Sequence, residues 1–246
     1  MTSQGAVKMF QNTIKGLEKI FRTNSYERMI ILVSGYTGTL KSTFTYTLMS
    51  KYLDNNPKKI GLYATIEESK ESLLRNLRSM GVKPNERIFI ADYNRTREMY
   101  REESENTDFL ELTEKLIIST KEERGEAFSV FALDSLNALY TLTKMDNDYL
   151  IRKRIYYFFK MLRDNDLTSF ILKEMPRETS YLLREDENFL ADGVIELGIR
   201  RTLEGKKRYI EVIKMRQNQH SMKQYIIDID KEGLAIVGPS VDDMGL

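Results

Sequence analysis

At 246 residues, with 41% hydrophobic and 30% charged side chains, the chain has a globular composition and is too apolar for a disordered one. Lys+Arg (38) and Asp+Glu (37) nearly balance, so bulk charge gives no reason to expect nucleic acid or an anionic membrane. The absence of cysteine excludes disulfides, thiolate metal sites and a cysteine nucleophile, and a single histidine, His220, argues against a His-rich metal site or a Ser–His triad.

In chain order, Met1 to Lys19 is mixed and polar, without the apolar core of a secretion leader. No apolar run approaches the ~20 residues needed to span a bilayer, so a cytoplasmic location is expected. Val7, Phe10, Ile14, Leu17 and Phe21 fall three or four apart and predict an amphipathic helix over about 7–22. Met29–Ser34 reads as a buried strand ending at Gly35, and Lys41–Leu53 as a helix with Phe44, Leu48 and Tyr52 on one face. Strands are then expected at Lys59–Ile66, Arg87–Tyr93, Ser129–Asp134 and Thr168–Lys173, with helices at Ser69–Met80, Phe109–Arg124 and Tyr149–Asp164. Tyr100–Thr107 reads as a charged surface loop or helix start.

This alternation is that of a mostly parallel sheet flanked by helices. From about Gly193 the pattern changes. Val194–Arg201, Arg208–Met215 and Tyr225–Ile229 read as consecutive strands with turns at Glu204-Gly205 and Glu232-Gly233, an antiparallel end to the sheet. No repeat or linker divides the chain, so residues 1–246 are expected to form one α/β domain with its core over about 28–238.

The run Gly35-Tyr36-Thr37-Gly38-Thr39-Leu40-Lys41-Ser42, followed by Thr43, sits between a predicted strand and a predicted helix. A phosphate-binding loop has the form G-x-x-x-x-G-K-[S/T]: its amides cradle phosphates, its lysine neutralises the outer ones, and its hydroxyl ligates Mg²⁺. Gly35, Lys41 and Ser42 fit, whereas Leu40 stands where the second glycine is expected. A branched side chain there costs of order 1–2 kcal/mol if φ must be positive.

Other segments agree with this loop. Thr65-Ile66-Glu67-Glu68 ends the second strand, Phe131-Ala132-Leu133-Asp134-Ser135 ends another, Leu190-Ala191-Asp192-Gly193-Val194-Ile195 precedes the late strands, and Lys214-Met215-Arg216-Gln217-Asn218-Gln219-His220 follows. In this order the motifs resemble the KaiC-like branch of the RecA-type P-loop ATPases. The resemblance implies a RecA-like core that binds ATP and Mg²⁺ on Gly35–Thr43, with Ser42 and Asp134 holding the metal. It implies Glu67 or Glu68 as the carboxylate that polarises the attacking water. Lys214 and Arg216, with His220 nearby, resemble the pair that reaches a neighbouring subunit's γ-phosphate; two cations alternating on a strand can face one partner. The expected protein is a weak ATPase that self-associates, a hexameric ring being one form, and passes a conformational change to a protein partner. Two rivals remain open: an ATP-binding scaffold or sensor with little hydrolysis, and a recombinase-like DNA-binding protein. Thr37 stands where relatives have proline, Gln217 where they have glycine, and Lys173-Glu174 where they often have small polar residues. Residues 181–188 are charged and irregular, where RecA-type proteins carry central loops.

Overall fold

The computed structural model describes residues 9–22, 27–95, 108–142, 148–175, 186–202, 205–230 and 233–239. Its centre is a nine-stranded sheet in the order β3-β2-β4-β5-β1-β6-β7-β8-β9. Strands β1 (Ile30–Gly35), β2 (Ile60–Thr65), β3 (Ile88–Asp92), β4 (Phe128–Asp134), β5 (Thr168–Glu174) and β6 (Gly193–Thr202) run parallel. β7 (Gly205–Met215), β8 (Tyr225–Asp230) and β9 (Gly233–Pro239) continue the sheet antiparallel. β9, which follows the turn expected at Glu232-Gly233, was not among the expected strands.

The helices are α1 (Lys41–Asn55), α2 (Lys70–Ser79), α3 (Phe109–Arg124), α4 (Leu136–Leu142), α5 (Asp148–Asp164) and α6 (Asp186–Leu190). The sequence pattern omitted α4 and α6, which are too short to show a helical period. Two apolar clusters form the core, one on each face of the sheet. Val33, Leu172 and Ala132 face α1 and its Phe44 and Leu48, whereas Leu32, Ile171 and Leu133 face α5 and its Phe158 and Leu162. Opposite orientation of successive strand residues makes this division, and coverage of both faces explains why the parallel strands read as unbroken apolar runs. Caps fix where the helices begin: Ser69 Oγ accepts from Ser72 N at 3.3 Å, and Asp108 accepts from the amides of Leu110 and Glu111.

The helix expected over 7–22 is not present in its described part, residues 9–22. Only Leu17–Lys19 is helical, as one 3-10 turn. Gly16 interrupts the pattern at φ 84°, and a Cβ there would lie 2.1 Å from the Ile236 carbonyl oxygen. The segment pairs instead with the sheet: Ile236 N donates to Lys15 O at 2.7 Å, and Phe21 bridges to His220. Its apolar residues still leave solvent, with Phe10 and Phe21 stacked at 4.0 Å and Phe10 edge-on to Phe170. The spacing correctly marked buried residues but not the conformation that buries them. Residues 100–107, expected as a charged loop or helix start, 181–185 of the expected irregular segment, and Glu204 and Glu232 of the expected turns lie outside the described residues. Among the described residues no helix is long and apolar enough to cross a membrane.

Candidate functional site

Open parallel sheets bind ligands beyond the carboxyl ends of their strands, and the chemically distinctive residues gather there. Gly35 ends β1 and is paired with Glu174, the last residue of β5; Thr65 at the end of β2 is paired with Asp134 at the end of β4. Between β1 and α1, residues 36–40 form a tight loop. Gly35 is required by close approach, since a Cβ would sit 2.1 Å from the Leu197 carbonyl oxygen and 2.8 Å from Thr39 Oγ1. Thr39, buried, donates from Oγ1 to Tyr36 O at 2.8 Å. Tyr36, Thr37 and Gly38 are exposed, and Gly38 has φ 85°.

Leu40 adopts the left-handed conformation, φ 73° and ψ 27°, as the residue that caps α1. The strain expected from the sequence is therefore present, at about 1–2 kcal/mol. Packing of its side chain against the core under α1 offsets part of it. Leu40 supplies no side-chain acceptor to the helix, and the first turn of a helix has amides with no intrahelical partner. The amides of Lys41, Ser42 and Thr43 thus open an anion-binding end to α1, whose first turn carries no acidic residue.

Lys41 is 7% exposed and donates from Nζ to Gly35 O at 2.9 Å and Tyr36 O at 3.1 Å; Glu174 Oε1 lies 3.6 Å away. Beside it, Asp134 Oδ2 accepts from the buried Tyr63 hydroxyl at 2.7 Å. Burial pushes the Asp134 carboxyl up, against the pull of hydrogen bonds from Ser42 and Tyr63 and of the Lys41 ammonium. Burial, then the Asp134 charge, push the Tyr63 hydroxyl up as well. An adjacent hydroxyl and carboxylate fit Mg²⁺, which takes few protein oxygens and completes its shell with water and phosphate. No group of three His, Cys, Asp or Glu gathers as a metal cage among the described residues.

The two glutamates after β2 differ. Glu68 is drawn onto α2, where its Oε1 accepts from Ser72 Oγ at 2.8 Å and from Asn76 Nδ2. Glu67 is exposed and makes no such bond to α2. Partial burial, then the charges of Glu174 and Asp134, raise its carboxyl, and Lys41 pulls it down.

Lys214, Arg216 and His220 are not beside this loop. β7 runs antiparallel, so Met215 pairs with Gly193, itself paired with Ile31 near the start of β1. Arg216 N bonds to Asp192 O, and Asp192 N to Ile30 O, which puts Arg216 level with the far end of β1. Five strand residues separate that level from Gly35, roughly 16 Å. There Lys214 Nζ donates to the carbonyls of Asn188 at 2.8 Å and Ala191 at 2.7 Å, at the C-terminus of α6. Desolvation, then Arg216, push Lys214 down. Arg216, its side chain 51% exposed, donates to Phe189 O and lies 3.6 Å from Asp192.

Three residues near the loop escaped the sequence reading in any functional role: Tyr63, Glu174 and Arg208. Arg208 on β7 donates from Nε to Gly38 O at 3.1 Å. Of these only Glu174 was noted, as part of the departure of Lys173-Glu174 from the small polar pattern of relatives, and it was given no role. Lys173 itself points to the other face and pairs with the buried Glu187 at 2.9 Å, which also accepts from Tyr140.

Residues 10–241 match the family described as "ATPase: KaiC". The circadian clock oscillator protein KaiC of Parathermosynechococcus lividus is 28% identical over 238 residues, covering 92% of this chain and 42% of that protein. That of Picosynechococcus sp. is 27% identical, covering 96% and 46%. The chain thus spans less than half the length of these relatives. A solved structure, the KaiC-like protein from Pyrococcus horikoshii OT3, superposes with a TM-score of 0.74 at 24% identity and covers 95% of this chain and 99% of its own, which shows a shared fold. A phosphate loop between β1 and α1, a half-buried Asp134 beside Ser42 and a match over nearly the whole sequence lead to one conclusion: the chain belongs to the KaiC family of RecA-type ATPases.

Proposed function

We propose that this chain, acting as one domain and in the cytoplasm, binds Mg·ATP on Gly35–Thr43 and hydrolyses it slowly at a contact between copies, passing the change of state to a protein partner. The observation that carries this reading is the gathering of Lys41, Ser42, Asp134 and Glu67 at the carboxyl ends of neighbouring parallel strands. The loop amides and Lys41 hold the phosphates. Ser42 and Asp134 would hold Mg²⁺, which would supply positive charge to the phosphates. Glu67 accepts the proton of the attacking water, and its raised affinity for protons suits a base. Glu68, committed to α2, positions the turn that presents Glu67.

Around the loop, among the described residues, Lys41 and Arg208 face Glu67, Asp134 and Glu174, so the described groups there are short of positive charge for a triphosphate. Arg216, and Lys214 and His220 beside it, would make up the deficit in a neighbour's site. Complementation tests this. Glu67→Gln and Arg216→Ala are each expected to lose most turnover, and mixing them is expected to restore activity, because mixed contacts contain sites with both groups intact. Full turnover by Arg216→Ala alone, or no recovery on mixing, would refute the shared site. Leu40 favours a second reading, a nucleotide-binding scaffold with little turnover.

A further inference from the structure

The ammonium of Lys41 has three N–H donors. Two are taken by the carbonyls of Gly35 and Tyr36, at 2.9 and 3.1 Å. The remaining side faces the Glu174 carboxylate, whose Oε1 lies 3.6 Å away. Any phosphate oxygen bound by this lysine must take that same side.

Glu174 is held there by its backbone. Asn137 Oδ1 accepts from Glu174 N at 2.7 Å and Asn137 Nδ2 donates to Glu174 O at 3.2 Å, while the strand register sets Glu174 directly beside Gly35. No second cation neutralises it from its own strand, because Lys173 projects to the opposite face and pairs with Glu187. We propose that Glu174 is an internal anion that competes with the outer phosphate for Lys41, so that nucleotide binding requires its displacement and a triphosphate is disfavoured relative to a diphosphate. The lysine then reports nucleotide state: it pairs with the Glu174 carboxylate when no phosphate reaches it and releases that carboxylate when one does. This inference rests on the nucleotide site proposed above.

The test measures dissociation constants for Mg·ADP and for the non-hydrolysable Mg·AMPPNP by calorimetry, on the full chain. The proteins are wild type, Glu174→Gln, Glu174→Thr and Lys41→Ala, with unliganded melting temperatures as the check on folding. Glu174→Gln keeps the shape and Glu174→Thr removes the reach; both keep the Asn137 clamp, which holds only backbone atoms. Both are expected to bind the triphosphate about tenfold tighter or more, with a smaller gain for the diphosphate. A merely structural role for Glu174 would not change the ratio between the two nucleotides. Unchanged or weaker triphosphate binding in both variants, with binding still lost in Lys41→Ala, overturns the competition and leaves the site standing. No nucleotide binding by any of the four proteins overturns both.

Discussion

Leu40 is a strained residue whose strain can be measured by replacing it in two ways. Alanine removes the half-buried side chain, a loss of about 1 kcal/mol when scaled from full burial of a leucine. It retains a Cβ at φ 73°, so the left-handed cost persists. Glycine loses the same contacts but relieves about 1–2 kcal/mol of strain, less about 0.5–1 kcal/mol for its freer unfolded chain. Leu40→Gly should therefore be close to wild type, and Leu40→Ala about 1 kcal/mol less stable, a difference of about 2–4 °C in melting temperature for a chain of this size. Gln217 supplies a control. It too has positive φ, 60°, but is exposed, so Gln217→Gly should stabilise with no packing lost. Calorimetric melting of the four variant and wild-type proteins reads these differences. If Leu40→Ala melts at or above Leu40→Gly, the left-handed strain does not exist and the reasoning fails. Turnover in the same set is informative: a large gain in Leu40→Gly would favour the scaffold reading for the wild type.

Two further predictions concern charge. Lys173→Ala should cost about 3 kcal/mol, because it leaves Glu187, only 4% exposed, as a buried unpaired carboxylate; adding Glu187→Gln should recover part of that loss, and denaturant melts check both. Asp108 is pushed up by burial but pulled down further by Arg154, whose guanidinium lies 2.6 Å away, and by the amides of Glu111 and Leu110. Its stabilisation is present above the ordinary aspartate range and is lost as pH falls through its lowered folded value. The stability gap between wild type and Asp108→Asn should thus be widest near neutral pH and close as pH falls through the lowered folded value of Asp108, read from urea melts across pH.

Most of the sheet was legible because burial on both faces forces apolar runs, and helix ends were legible where caps and glycines mark them. Phe109–Arg124 was bounded correctly, and β4 within one residue. The N-terminal segment failed for a physical reason: a three-or-four spacing also suits a chain that bends around Gly16 and buries each apolar residue separately. The site divided in the same way. Residues within one motif were readable, since loop, strand tip and helix start are contiguous. Glu174 and Arg208 reach the loop only because β5 lies beside β1 and β7 folds back past it, which no local pattern encodes. The two substituted glycines are instructive. Leu40 and Gln217 both retain the left-handed backbone associated with glycine, so at these positions the fold dictates the conformation and the side chain tolerates it.

The segment from Met9 to Arg22 has a consequence beyond its packing. β9 is the last strand of the sheet, and its outer backbone groups would otherwise be open to another chain. Lys15 takes the Ile236 amide and blocks that row near its middle, while the bend at Gly16 keeps the segment from continuing as a tenth strand. The cover occupies the middle of the edge without extending it as a new strand. A shortened protein lacking this segment would offer a pairing template together with an uncovered aromatic ring at Phe170, the two ingredients of runaway strand addition.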